Sequence, residues 1–189
     1  MFLIVLCLLF LGTLSYQLHL NQQLKIERQK LPAQAYDSLH ETAVQAQSLD
    51  ERWGELSTQE QARALREFYP VLMQTQTDFL KLGSQYLDTV PDAIVRWRFA
   101  SRLFSLYGYT VKSWRHNLEA GNKEEVPDGK KIHLLAEDLH VLETRIDRDF
   151  LMEAPYTEVY ERWLKTARQQ LQLTEVTRVY NMEYSTKFR

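Results

Sequence analysis

The stretch that decides the fold is DGKKIHLLAEDLHVLETRIDRDFLME, residues 128–153. Its apolar residues recur every three or four positions, which places them on one face of a helix: Ile132, Leu135, Leu139, Leu142, Ile146 and Phe150. The Asp-Gly pair at 128–129 is flanked by charged residues instead of alternating apolar runs, so it does not indicate a β-hairpin. The pattern predicts one amphipathic helix over residues 128–153.

The same periodicity extends to both sides of this segment. We predict further helices over residues 33–54, from 57–58 to about 86, over 91–120 and over 155–180. Prolines at 32, 91, 127 and 155 mark helix starts, because proline is tolerated in a first helical turn and breaks helix interiors. Ser57 and Glu60 have the spacing of a capping box, and Pro70 is expected to kink or divide the second helix.

Short connections between long amphipathic helices favour antiparallel neighbours. We therefore expect an all-α fold, an up-and-down bundle of four to five helices over residues 32–180. Such a domain is large enough to bury a core of its own. A stalk over residues 21–31 is predicted to precede the bundle, and residues 181–189 are expected to fray.

The segment MFLIVLCLLFLGTLSY, residues 1–16, is apolar, and no charged side chain occurs before Lys25. Residues 1–20 predict a single membrane-spanning anchor, since about 20 mostly apolar residues cross a bilayer. A cleaved signal peptide is the alternative, although the basic residues that open such a peptide are missing. Lys25, Arg28 and Lys30 follow the segment and favour a cytoplasmic bundle at the cell membrane, whereas an export signal would make the bundle extracytoplasmic.

Composition narrows the classes of function. A net charge of −2 argues against general affinity for nucleic acid. The single cysteine, Cys7, lies in the apolar segment, so the bundle has no thiol for catalysis, disulfides or metal binding. Glycine is scarce, and neither a phosphate-binding loop nor a Gly-x-Ser-x-Gly motif occurs. We expect a non-enzymatic protein that needs no cofactor.

Charge is segregated along the chain. Between residues 93 and 118 there are five bases and no acid: Arg96, Arg98, Arg102, Lys112 and Arg115. Arg96, Arg98 and Arg102 are therefore candidates for binding an acidic partner or an anion. The alternative is internal pairing with acids of the next predicted helix: Asp138, Glu143, Asp147 or Asp149.

A metal site is a weaker candidate. His133, Glu137 and His140 follow the spacing i, i+4 and i+7 on one side of the helix predicted over residues 128–153. Glu-x-x-His occurs in helical di-iron sites, and two histidines with a carboxylate bind zinc. The other interpretation is a polar helix face beside the apolar stripe.

The tryptophans at 53, 97, 114 and 163 are distributed over three of the predicted helices, and aromatic residues at helical spacing usually belong to the core. Lining a ligand cavity is the minority interpretation. Together these patterns favour a membrane-anchored bundle that acts through contact with another protein, as an adaptor, assembly factor or regulator. An exported, membrane-tethered ligand sensor is the alternative. A di-iron or zinc enzyme is the third.

Overall fold

A computed structural model describes residues 2–85, 90, 92–122 and 126–187, and it leaves out the side chains at 2–12, 14–15, 24–25, 27–29 and 85. All regular secondary structure in this part of the chain is helical, which confirms the all-α bundle. A short 3-10 turn at Trp53–Glu55 separates the first two helices. The α-helices are α1 Phe2–Arg52, α2 Thr58–Gln85, α3 Ala93–Ala120, α4 Gly129–Arg145, α5 Arg148–Glu153, α6 Tyr156–Gln169 and α7 Thr174–Lys187.

The helices pack as antiparallel neighbours. Helix α1 lies between α2 and α4, while α3 lies against α2, α6 and α7. Thr75 of α2 donates to the carbonyl of Ser38 in α1 at 2.9 Å, and the hydroxyls of Thr42 and Thr75 are 2.6 Å apart. Where α2 approaches α3, a Cβ on Gly83 would lie 2.8 Å from the Cα of Ile94, so glycine permits this close backbone contact.

The core is built from aromatic side chains of three helices. Phe79 of α2, Trp97 and Phe104 of α3 and Trp163 of α6 are fully buried. The ring of Phe79 lies 4.9 to 6.0 Å from the other three, centroid to centroid. These distances are those of tilted aromatic pairs in direct contact. Trp97 and Trp163 therefore fill the core.

Two predicted helices are divided in the structure. The helix expected over 128–153 stops at Arg145, because the carboxylate of Asp147 accepts the N–H of Phe150 at 2.9 Å and starts α5. The helix expected over 155–180 stops at Gln169 and resumes at Thr174. The tail was expected to fray from residue 181, but α7 continues to Lys187, since Tyr184 packs against the core.

Two prolines lie inside helices. Pro32 was expected to mark a helix start, yet α1 continues through it, and Pro32 is buried where α1 enters the bundle. Pro70 does not divide α2. An interior proline removes one backbone hydrogen bond of its helix. Packing of the helix segments before and after each proline outweighs that loss.

Helix α1 extends well beyond the bundle. Its 51 residues correspond to about 77 Å. Every side chain described between residues 13 and 30 is exposed, and packing begins at Leu31. Among the helices whose placement is described, none combines the length and apolar character that a bilayer crossing requires. Most side chains of the predicted anchor lie outside the described residues, so the anchor stays a prediction.

Candidate interaction surface

The three arginines singled out from the sequence do not form one site. Arg96 and Arg98 are two residues apart, which turns their side chains about 160° away from each other around α3. Arg96 lies toward α6, with its Cζ 5.6 Å from the ring centroid of Tyr160. Arg98 is exposed, and Arg102 lies near it on the outer face of α3.

Arg102 is paired within the bundle. Its Nε and Nη2 donate to the two carboxylate oxygens of Glu183 in α7 at 3.3 and 3.2 Å. Its Cζ also lies 5.5 Å from the ring centroid of Tyr109. The hydrogen bonds to Glu183 raise the pKa of the Arg102 guanidinium. The internal partner therefore comes from α7, and not from the acids expected in the next predicted helix.

Those acids have other roles, because α4 packs mainly against α1. Asp138 is buried in a hydrogen-bond network described below. Glu143 contacts the Nδ1 atoms of His40 and His140. Asp147 caps α5, and Asp149 lies in the first turn of that helix.

The outer face of α3 is basic and exposed. Arg98, Tyr109, Lys112 and His116 all face solvent there. Within the described residues, no carboxylate lies at salt-bridge distance from Arg98 or Lys112. These two charges are available to a partner, whereas the charge of Arg102 is largely compensated by Glu183.

A cavity of about 430 Å³ opens beside this face, between α3, α4 and α7. Leu106, Trp114 and Val179 provide its apolar surface. Lys131 of α4 and Glu175 of α7 form an ion pair of 2.9 Å at its edge. The cavity and the basic face are continuous, because Tyr109 belongs to both.

The metal candidates on α4 have separate partners. The Nδ1 of His133 lies 2.8 Å from a carboxylate oxygen of Asp50 in α1, and His140 lies 3.5 Å from Glu143. Glu137 is exposed. In the described part of the chain, no three metal-ligating side chains are grouped so that they would hold an ion. The histidine pairs connect α4 to α1, which spacing within α4 alone did not indicate.

Sequence reasoning missed the buried role of Asp138. It is 1% exposed, and its carboxylate accepts from the Tyr107 hydroxyl at 2.9 Å and from the backbone N–H groups of Gln172 and Leu173 at 2.6 and 2.9 Å. Burial raises the pKa of Asp138. Its position three residues after Leu135, within the apolar stripe, was the available signal. The carboxylate joins α3 and α4 to the turn before α7.

Comparison of the chain with family models, with curated proteins and with solved structures finds no match to any of them. Of the predicted site residues, the structure keeps Arg98 and Arg102 on one face and turns Arg96 away.

Proposed function

We propose that this chain is a membrane-anchored helical bundle that acts through contact with another protein, without chemistry of its own. The observation that carries the proposal is the continuity of α1. One unbroken helix holds the bundle at one end and the charge-free apolar segment at the other. The side chains described between them are exposed, as expected of a stalk.

The contact part of the proposal is supported by the surface of the bundle. Val95, Tyr109 and Met182 are each more than half exposed on α3 and α7, beside the exposed bases Arg98 and Lys112. Tyrosine, methionine and arginine are enriched where proteins meet. The bases at 25, 28 and 30 favour a bundle on the cytoplasmic side of the membrane.

The anchor is tested by placing arginine in the apolar segment. We expect Leu8→Arg with Leu9→Arg to release the chain from membranes washed at alkaline pH, because each arginine at a helix centre costs about 2.5–3.5 kcal/mol. Gln22→Arg with Gln23→Arg is the matched control, since these side chains of the same helix are exposed and polar. A topology reporter fused after residue 189 should show activity on the cytoplasmic side of the membrane. Retention of the Leu8/Leu9 variant would overturn the anchor.

The contact is tested separately in cells. A photo-crosslinking residue is introduced at exposed positions around the bundle, including Tyr109 on α3 and Val44 on α1. We expect an adduct with another protein, identified by mass spectrometry, from at least one position. No adduct from any position would contradict action through protein contact.

The ligand-sensor alternative finds little support in the described part of the bundle. Trp97 and Trp163 contact each other in the core, with 6.2 Å between their ring centroids, and of the four tryptophans only Trp114 is among the residues described as lining a cavity. A thermal stabilisation screen with small metabolites would favour this alternative if a compound raised the melting temperature.

A further inference from the structure

We infer that the groove between α3 and α7 is the docking site for an acidic amphipathic helix of the partner protein. The α3–α7 groove is defined by Arg98, Arg102, Leu106, Tyr109, Lys112 and Val179. The inference rests on the proposed function, because it names the surface and the chemistry of the contact proposed above. The occupant is a helical segment with an apolar face and a glutamate- or aspartate-rich flank.

The shape of the groove suits a helix. Helices α3 and α7 run antiparallel: Glu183 contacts Arg102 at one end, and Glu175 lies with Trp114 and Asn117 at the other. From Arg102 to Asn117 the groove extends over about 22 Å, which is the length of about four helical turns. A docked helix would place one or two apolar side chains in the cavity of about 430 Å³.

The charge of the groove selects an acidic partner. Its bases are Arg98, Arg102, Lys112 and Lys131, and its acids are Glu175 and Glu183. Each acid is paired with one of the bases, and no acid in the described part of the chain lies at salt-bridge distance from Arg98 or Lys112. Both lie on the solvent side of α3, where the flank of a docked helix would face them. Complementary charge would steer the partner and fix its register.

A lipid headgroup fits this surface less well. Gly83 of α2 contacts Ile94, so α3 begins at the end of the bundle from which the stalk leaves. Headgroups beneath that end would reach Arg98, which lies in the second turn of α3. Leu106 lies 13 residues after the start of α3, which is about 20 Å along the helix from that start. A membrane at the anchor end would therefore leave the cavity and Lys112 untouched.

The test uses the full chain in mild detergent and two labelled helical peptides of 18 residues. One peptide carries leucine on one face and glutamate on the other, and the second carries lysine in place of every glutamate. Fluorescence anisotropy measures binding. We expect the glutamate peptide to bind at least about tenfold more tightly than the lysine peptide, with an affinity that falls as salt rises.

Variants locate the binding. Arg98→Glu with Lys112→Glu should weaken binding of the glutamate peptide at least about tenfold without lowering the melting temperature of the protein. Val179→Ser should also weaken binding of this peptide, because Val179 provides apolar surface in the cavity. Lys165→Glu, an exposed base on α6, is the matched control and should leave binding unchanged. Equal binding of the two peptides, or unchanged binding by the double variant, would overturn the inference.

Further outcomes separate this inference from the proposed function. If phosphatidylglycerol vesicles compete with the peptide through Arg98 alone, the basic face binds lipid and the inference is wrong. If crosslinks to a partner form from Val44 but not from Tyr109, the protein contact stands and only its placement in the α3–α7 groove fails. If the Leu8/Leu9 variant stays in membranes while the peptide binds as expected, only the anchor fails.

Discussion

At the scale of single residues, Asp138 has the largest structural role that can be tested. Its buried carboxylate accepts from Tyr107, Gln172 and Leu173 and so joins α3 and α4 to the turn before α7. Burial raises its pKa, which means that the folded state holds the ionised form at a cost. The hydrogen bonds offset part of that cost.

Asp138→Asn should lower the free energy of unfolding by about 2–4 kcal/mol, measured by urea denaturation, because the amide turns an N–H donor toward a backbone donor. Tyr107→Phe is the milder comparison and should cost about 1 kcal/mol, since the carboxylate keeps both backbone partners. An Asn variant no less stable than the Phe variant would show that the network contributes little.

His133 allows a test of pH dependence. The hydrogen bond to Asp50 raises its pKa above that of an unperturbed histidine. A raised pKa in the folded state means that the contribution to stability is present below the unfolded pKa and is lost as pH rises through the folded pKa. The melting temperature of the wild type should therefore fall more between pH 6 and pH 8 than that of His133→Gln. Parallel curves for the two proteins would contradict this role.

At the scale of secondary-structure elements, the approach of α2 to α3 depends on Gly83. An added methyl group would meet backbone atoms of Ala93 and Ile94 at 2.8 to 3.3 Å, and backbone cannot move aside as a side chain can. The boundary between α4 and α5 depends on a helix cap. Asp147 was visible in the sequence, but its role as a cap was not, because the apolar stripe runs through it to Phe150.

Gly83→Ala should destabilise the protein by about 1–3 kcal/mol despite the better helix propensity of alanine, since overpacking exceeds that gain. Thermal denaturation measures the effect. Gly54→Ala is the matched control: nothing lies within 4 Å of its added Cβ, so it should be neutral or slightly stabilising. Equal melting temperatures for the two variants would show that α2 and α3 can separate without cost.

At the scale of the whole molecule, the sequence by itself determined the fold class and most of the core. Strict helical spacing placed Ile132, Leu135, Leu139 and Leu142 on the buried face of α4, because amphipathicity is a local property of a helix. The tertiary structure alone decided which helices are neighbours. It paired Arg102 with Glu183 and His133 with Asp50, residues 81 and 83 positions apart. Such pairings depend on how helices pack in space, and the periodicity of a single helix carries no information about them.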